Sequence, residues 1–184
     1  MNHSLFIIRK AVLEDAMGIA RVHVDSWRST YAAIFPQEYL NGLTYEKREK
    51  LWLNNIPLGG VYVAENEVGE IIGFSSGGEE RSGKYNGFDG ELYAIYLLEE
   101  YQRKGVGSAL FAAVTTELKQ KGYQGMLVLV VEDNHSYRFY EALGGEKIDS
   151  IEMSMAGEKY GEIVYGWRDI TPLTLEINKR FTYR

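Results

Sequence analysis

The segment from Glu91 to Val131 constrains the fold of this 184-residue chain most, because it predicts a strand, a glycine-containing turn, a helix and a second strand. Glu91–Leu98 is a long apolar run, and Met126–Val131 is typical of a strand buried on both faces. Between them, Val106–Lys121 has apolar side chains at helical spacing, and Gly122 is a helix stop signal. Because such a unit closes as a right-handed crossover, the two strands are predicted to be parallel.

The other strands are predicted to be antiparallel, because short turns join them as hairpins. The predicted class is therefore α/β of the mixed α+β kind: a twisted, mostly antiparallel sheet with one parallel pair and helices on both faces. Residues 1–170 are predicted to form one domain, and residues 171–184 a C-terminal tail. The remaining predicted elements are strands at Leu5–Arg9, Val61–Ala64, Ile71–Phe74, Ile148–Met155 and Glu162–Trp167, a helix at about Leu13–Tyr31, short helices between Pro36 and Pro57, and a helix at Ser136–Leu143.

Composition excludes several classes of site and partner. The chain has no cysteine, which excludes a disulfide scaffold, a thiolate zinc site, an iron–sulfur cluster and a cysteine nucleophile. Its 20 Lys and Arg against 26 Asp and Glu give a net charge of −6, which argues against nucleic acid as a partner. The apolar runs are far shorter than the roughly 18 residues of a membrane span, so we expect a cytoplasmic protein without a membrane partner. The three histidines lack metal-ligand spacing, and no metal is predicted.

The turn Tyr101-Gln-Arg-Lys-Gly-Val-Gly-Ser108 joins the first strand of the central unit to its helix. The first amides of a helix have no internal partner and lie at the positive end of its dipole, so this turn is a candidate phosphate site. Gly105 and Gly107 allow a ligand to approach the backbone, and Arg103 and Lys104 add positive charge. The plain alternative is a tight turn with solvated basic residues. The chain lacks the Gly-Lys-Ser/Thr string of a P-loop and the third glycine or alanine of a dinucleotide fingerprint.

The motif Gln102-x-x-Gly105-x-Gly107 resembles the acetyl-CoA pyrophosphate loop of the GNAT superfamily of N-acetyltransferases. The order of elements from about residue 5 to 168 is similar to that fold. The segment Asn134-His-Ser-Tyr-Arg-Phe-Tyr-Glu-Ala-Leu-Gly-Gly145 resembles the family's Asn…Phe-Tyr-Glu-x-Leu-Gly segment, and Ser26-Trp-Arg-Ser-Thr-Tyr31 resembles a substrate-side helix. The resemblance implies a GNAT-like fold whose parallel strands splay apart, with acetyl-CoA bound in the cleft as co-substrate and no metal.

The resemblance implies two sets of backbone contacts to acetyl-CoA. The first parallel strand would bind the pantetheine arm, which adds to the splayed edge like a further strand. The glycine turn would bind the pyrophosphate through its amides. Asn134 would hydrogen-bond the pantetheine, and its alternative role is that of a helix N-cap. The strand residues are Ile95, Tyr96 and Leu97, whose side chains should matter less than their backbone, and the turn residues are Arg103, Lys104, Gly105, Val106, Gly107 and Ser108.

Tyr140 matches the family tyrosine that protonates the departing thiolate of CoA. A phenol with a pKa around 10 is protonated at neutral pH and can serve as that acid. The spacing from Asn134 is six residues here, whereas many members have seven, so Phe139 or Tyr137 could take part of the expected position. The alternative for Tyr140 is a half-buried helix aromatic without a catalytic role.

The resemblance also implies which residue deprotonates the amine and which residues form the wall of the acceptor-binding site. An amine attacks only when neutral, so a carboxylate that takes its proton, usually through water, is expected near the acceptor. Glu91 occupies the place of the base in several members, and Glu132 is the second candidate; a solvated strand end is the alternative for Glu91. Trp27 and Tyr31, one turn apart on the first helix, would form the wall of the substrate site, unless they are core residues.

The sequence therefore predicts an N-acetyltransferase that transfers the acetyl group of acetyl-CoA directly to a primary amine of a small molecule or amino acid. One alternative is acetylation of a peptide or protein, at its N-terminus or at lysine. Another is a non-catalytic acyl-CoA-binding regulatory module, which would need the glycine turn but neither Tyr140 nor a base. The expected partner is a small-molecule amine, and a homodimer is left open.

Overall fold

The structure is a computed structural model that describes residues 6–178. Strands and helices alternate in an order close to the predicted one. The elements are β1 (Phe6–Lys10), α1 (Ala16–Thr30), α2 (Gln37–Asn41), α3 (Tyr45–Asn55), β2 (Val61–Asn66), β3 (Ile71–Glu79), β4 (Gly90–Leu97), α4 (Val106–Gln120), β5 (Met126–Val131), α5 (Tyr137–Ala142), β6 (Glu146–Met155), β7 (Glu158–Trp167) and α6 (Thr171–Asn178).

The strands form a seven-stranded sheet in the order β1-β2-β3-β4-β5-β7-β6. Every neighbouring pair is antiparallel except β4 and β5, which are parallel. The predicted mixed α/β class, with a mostly antiparallel sheet and one parallel pair, is confirmed. The strand β7 begins at Glu158 rather than at Glu162, because its ladder with β6 continues to the Met155–Glu158 pair beyond the apolar positions that predicted it.

Helices cover both faces of the sheet, as predicted. The helix α4 packs against β1 to β4 on one face, and its residues at the predicted spacing, Val106, Leu110, Val114 and Leu118, are all buried. The helix α1 packs against β3 and β4 on the other face, with α3 beside it. Burying an apolar stripe of each helix on the sheet is the main source of stability in such a layered fold. The two layers leave the carboxyl ends of β4 and β5 between α1 and α4.

The predicted C-terminal tail, residues 171–184, begins with the helix α6. The carboxylate of Asp169 accepts a hydrogen bond from the Thr171 amide at 2.9 Å, and Pro172 is compatible with the first turn of a helix. The helix α6 packs against α4, with Leu173 on the main core cluster. Its short apolar pattern was too weak to predict a helix. Residues 179–184 of the predicted tail lie outside the described residues.

None of the helices in residues 6–178 combines the length and the apolar character that crossing a membrane requires.

Candidate active site

A cleft opens where β4 and β5 separate. The parallel pairing of the two strands joins Gly90 to Met126, Glu91 to Leu127 and Leu92 to Val128. A β-bulge in the neighbouring β3–β4 ladder, between Ser76 and Gly77, lies at the same level and bends β4 away. Beyond it β4 continues to Leu97 and β5 to Val131 without pairing to each other. This is the splayed geometry that the sequence predicted.

The open edge of β4 presents the backbone groups of Ile95 and Leu97. The Leu98 amide donates to the Ile72 carbonyl on β3 at 3.0 Å. Along a strand, successive residues direct their backbone N–H and C=O groups alternately to the neighbour on one side and on the other. Tyr96, two residues before Leu98, therefore also directs its backbone groups to β3. Ile95 and Leu97 then direct their N–H and C=O groups into the cleft. Ile95 and Leu97 therefore have backbone groups available for the predicted contacts with pantetheine. Tyr96 does not, and it contributes its side chain to the site instead.

The glycine turn forms a concave row of amides at the start of α4. Arg103 and Gly105 both have left-handed backbone conformations, with φ of 62° and 85°, and Gly105 is the N-cap. Alternation of left- and right-handed residues turns successive amides toward one point, which is an anion-binding arrangement. The first helix amide that bonds back to the turn is that of Ala109, which donates to the Gly105 carbonyl at 3.1 Å. The amides that make none of the described hydrogen bonds are those of Arg103, Lys104, Gly105, Val106, Gly107 and Ser108.

Asn134 and Tyr140 lie on the β5 side of the cleft. The side-chain oxygen of Asn134 accepts a hydrogen bond from the Ser136 amide at 3.0 Å, so it stabilises the turn before α5, while its amide nitrogen donates to the Tyr31 hydroxyl at 3.5 Å. Tyr140 on α5 is 7% exposed, and its hydroxyl makes none of the described hydrogen bonds. Burial, followed by the nearby Tyr31, raises the pKa of Tyr140 above its ordinary value, so the phenol keeps its proton at neutral pH.

Tyr31 and Tyr96 join α1 to β4 across the cleft. Their hydroxyl oxygens are 3.0 Å apart, and either can donate. Burial raises the pKa of both phenols, and Tyr140 contributes to the shift at Tyr96. The hydroxyls of Tyr31, at the C-terminal end of α1, and of Tyr96, on β4, are therefore joined at the splay, and Tyr140 on α5 lies within electrostatic range of both. The sequence assigned Tyr31 to the acceptor wall and Tyr140 to the acid, but it did not predict the side-chain contact of Tyr96.

Trp27 lies in an aromatic cluster next to these tyrosines. Its ring centroid is 4.9 Å from that of Tyr31 and 6.1 Å from that of Tyr96, and the Arg48 guanidinium lies 5.7 Å from it. The buried Trp27 indole N–H has no hydrogen-bond partner of good geometry, although its proximity slightly lowers the pKa of Tyr96. Trp27 and Tyr31 are thus packed aromatics at the edge of the cleft, a position compatible with both roles that the sequence left open.

His23, one turn before Trp27, is a structural member of the same layer. Its Nδ1 accepts a hydrogen bond from the Trp52 indole at 3.1 Å, and its ring stacks on Tyr96 at a centroid distance of 5.9 Å. Burial, with a smaller contribution from the Arg48 charge, lowers the pKa of His23 to about 3. The imidazole is therefore neutral at physiological pH and cannot serve there as a proton donor.

We expect His23 to make the fold sensitive to acid. Because its folded pKa is lower than the unfolded value of about 6.5, the unfolded chain binds one more proton, and stability is lost as the pH falls from 6.5 toward 3. Between pH 7 and pH 5 the free energy of unfolding should fall by about 2 kcal/mol from this group. Urea titrations of the wild type and of His23→Asn, which keeps an acceptor for Trp52, measure the difference. Equal pH slopes for the two proteins would contradict the assignment.

Glu91 is held by Arg81 rather than left free. Its carboxylate is 3% exposed; both oxygens accept hydrogen bonds from the Arg81 guanidinium, and one of them also accepts from the Arg81 amide at 3.0 Å. Arg81 in turn lies over the Tyr93 ring, 4.3 Å from its centroid. The expected solvated strand end is therefore wrong for Glu91. A substrate amine could reach this carboxylate only by sharing oxygens that Arg81 already occupies.

Two further carboxylates flank the cleft. Glu132, the second candidate for the base, is exposed after the end of β5 and lies over Gly161 of β7. Glu162 of β7 is half-buried and pairs with Val131 of β5, which packs in one cluster with Tyr31 and Tyr96. Sequence reasoning missed both Arg81 and Glu162, because the first lies in a loop and the second within the alternating strand β7, with no local signal for either. Among residues 6–178, no cluster of three or more His, Asp or Glu side chains could hold a metal ion.

Known proteins are similar to this chain in sequence and in fold. An N-acetyltransferase of Bacillus subtilis, named YuaI and described as uncharacterized, is 46% identical over 172 residues, which cover 94% of this chain and 98% of that protein. The L-methionine sulfoximine/L-methionine sulfone acetyltransferase of Pseudomonas aeruginosa is 26% identical over 93% of this chain and 94% of its own. The crystal structure of the PaiA N-acetyltransferase from Thermoplasma acidophilum in complex with coenzyme A has a TM-score of 0.70 at 24% identity and covers 88% of this chain and 97% of that one.

A family model gives the same result over the region that holds the cleft. The model of the acetyltransferase (GNAT) family matches residues 24–145, which run from the middle of α1 to the glycines after α5. This range includes the glycine turn, the splayed strands and Tyr140. The chain therefore belongs to the acetyltransferase (GNAT) family and is an N-acetyltransferase.

Proposed function

We propose that this N-acetyltransferase transfers the acetyl group of acetyl-CoA directly to the primary amine of a small molecule or amino acid. The observation that carries the proposal is the opening between β4 and β5 beyond the Leu92–Val128 pair. It has the free amides of the glycine turn at one end, the open edge of β4 along its side, and the hydroxyls of Tyr31 and Tyr140 at the splay. These groups fit a pyrophosphate, an amide-containing arm and a thioester in that order.

Each residue then has a defined role in the transfer. When bound, acetyl-CoA supplies an activated acetyl group. The turn amides hold the pyrophosphate, and Asn134 with the open groups of Ile95 and Leu97 binds the pantetheine amides. One of the strand amides also meets the negative charge that develops on the thioester oxygen. Tyr140 donates its proton to the sulfur as the carbon–sulfur bond breaks.

Transfer is direct in this proposal. The chain has no cysteine, so no acetyl-cysteine can form on the enzyme. Direct transfer requires the amine and acetyl-CoA to be bound together, and the amine enters from the side of Trp27 and Tyr31. The name of the P. aeruginosa relative supports an amino-acid derivative as acceptor. Glu91 is the base that the family resemblance implied, and Arg81 occupies both of its oxygens.

A turnover screen tests the proposal. Release of CoA is followed with a thiol reagent, to which this cysteine-free protein contributes no background. The panel contains L-methionine sulfone, L-methionine sulfoximine, the common amino acids, spermidine, an aminoglycoside and a peptide with a free N-terminus. We expect small primary amines to release CoA and the matched N-acetylated compounds to release none.

The other outcomes separate the alternatives. Faster turnover of the peptide than of every small amine would contradict the proposed acceptor class and favour peptide acetylation. If acetyl-CoA binds in a calorimetric titration and no amine is acetylated, the non-catalytic module is the better description. Failure to bind acetyl-CoA would contradict the assignment of the cleft itself.

A further inference from the structure

Glu162 is a carboxylate at the carboxyl end of β5 that lacks a fixed partner. Its backbone lies between Val131 on β5 and Ile151 on β6. Strand alternation turns its side chain to the same face as Val164 and Tyr160, and Tyr160 packs edge-on against Phe35 at 4.9 Å. This is the face that α1 and the residues after it cover. The carboxylate is half-buried and takes part in none of the described hydrogen bonds or ion pairs.

The three carboxylates near the cleft differ in availability. Glu91 is buried, and the Arg81 guanidinium and amide occupy its oxygens. Glu132 is exposed beyond the end of β5, where water competes for any contact. Glu162 alone among these three is both partly shielded from water and free to accept a proton or a hydrogen bond. A group that must exchange protons with a bound substrate needs both properties.

The surroundings of Glu162 connect it to the reacting end of the cleft. Its ladder partner Val131 packs in one cluster with Tyr31, Tyr96 and Tyr160. The charged and titratable groups within electrostatic range of Glu162 are Tyr31, Arg81 and Tyr85 from the β3–β4 loop, and Glu91 from β4. Burial raises the pKa of Glu162, Arg81 opposes the shift, and Glu91 adds to it. A carboxyl whose pKa lies closer to the working pH is a better proton acceptor than one that is fully ionised and solvated.

We propose that Glu162 is the catalytic residue that accepts the proton of the incoming ammonium. This inference rests on the proposed function. The carboxylate takes one proton from the bound –NH3+ group, giving a carboxylic acid and a neutral amine. The amine nitrogen bonds to the thioester carbon, and the carbon–sulfur bond breaks. Tyr140 gives its proton to the sulfur and regains one from the new amide nitrogen, and Glu162 releases its proton to solvent. The products are the amide, CoA thiol and one proton, which balances the reactants.

The experiment compares Glu162→Gln with two matched carboxylate variants. Glu91→Gln removes the buried, Arg81-bound carboxylate, and Glu152→Gln removes an exposed one on β6 that pairs only with Lys159. For each protein, kcat/KM is measured from pH 5 to pH 9 with the amine that gives the fastest turnover in the screen. Calorimetric affinity for acetyl-CoA and the thermal unfolding midpoint are measured alongside.

We expect Glu162→Gln to lose about 100-fold or more in kcat/KM at pH 7. Without the proton acceptor only amine already neutral in solution reacts, so the deficit should shrink about tenfold for each pH unit up to the pKa of the amine. Glu152→Gln should match the wild type. Any deficit of Glu91→Gln in kcat/KM should stay constant with pH. Affinity for acetyl-CoA and the unfolding midpoint should not change in Glu162→Gln.

Specific outcomes overturn the proposal. Wild-type kcat/KM in Glu162→Gln, or a deficit that is constant with pH, would exclude Glu162 as the proton acceptor while leaving the acetyltransferase function intact. A deficit in Glu91→Gln that shrinks with pH, with none in Glu162→Gln, would assign the role to Glu91. Absence of turnover by the wild type with every amine would instead refute the proposed function, and this inference with it.

Discussion

Replacing Gly105 by valine should weaken the binding of acetyl-CoA at least about 100-fold. Gly105 has a φ of 85°, a left-handed conformation that costs an L-residue roughly 1–2 kcal/mol and is least accessible to a β-branched one. The turn would relax, and the amides on both sides of Gly105 would no longer converge. Each charge-assisted hydrogen bond to a phosphate contributes about 1.5–3 kcal/mol, so the loss of two accounts for the expected effect.

The opposite end of the same helix provides the control. Gly122 has a φ of 89°, and a Cβ built there meets no atom within 4 Å. Gly122→Val therefore introduces similar backbone strain at a distance from the cleft. Both variants should show a similar fall in the unfolding midpoint, but only Gly105→Val should lose affinity in a calorimetric titration. Equal affinities in the two variants would show that the turn does not bind the pyrophosphate.

Replacing Tyr140 by phenylalanine should lower kcat by about 10²- to 10⁴-fold, the range that a positioned general acid contributes. The hydroxyl makes none of the described hydrogen bonds, so its removal leaves no partner unsatisfied, and the ring keeps its contacts with Phe139 and Trp167. Affinity for acetyl-CoA and thermal stability should therefore stay close to those of the wild type. Steady-state kinetics with the best amine, with calorimetry for the binding step, separate the two effects.

Tyr137→Phe is the matched control for this change. Tyr137 lies on the same helix, α5, three residues earlier, and its hydroxyl accepts a hydrogen bond from Arg138 at 3.4 Å. The six-residue spacing between Asn134 and Tyr140 left open whether Tyr137 takes part of the acid's position. We expect Tyr137→Phe to retain kcat. A large loss in Tyr137→Phe together with full activity in Tyr140→Phe would move the acid role to Tyr137.

The elements of the fold were predictable where a local pattern alone defines them. The stripe of Val106, Leu110, Val114 and Leu118 and the stop at Gly122 predict α4, and the structure buries that stripe as expected. The apolar run Met126–Val131 predicts β5 with the bounds observed. The tail helix α6 was missed, because a short helix receives most of its stability from packing and its own sequence pattern is weak.

The glycine turn and Tyr140 were accessible from sequence for a related reason. Each lies in a short segment of neighbouring residues, so the turn with Gly105 and Gly107 could be predicted from local order, and Tyr140 from the resemblance of its segment to that of the GNAT family. The left-handed N-cap at Gly105 and the free amides after it follow directly from that local order.

Contacts between distant segments could come only from the folded chain. Arg81 and Glu91 are joined across a loop and a strand, Tyr31 meets Tyr96 from 65 positions away, and Glu162 reaches this region from β7. Sheet register and helix packing decide these contacts. The sequence around a charged group or a hydroxyl does not show which distant group it will contact. Local order and the family resemblance therefore predicted the elements of the fold, the glycine turn and the candidate acid. The tertiary structure decided which carboxylate is occupied and which is free, because burial and pairing exist only once the segments are packed together.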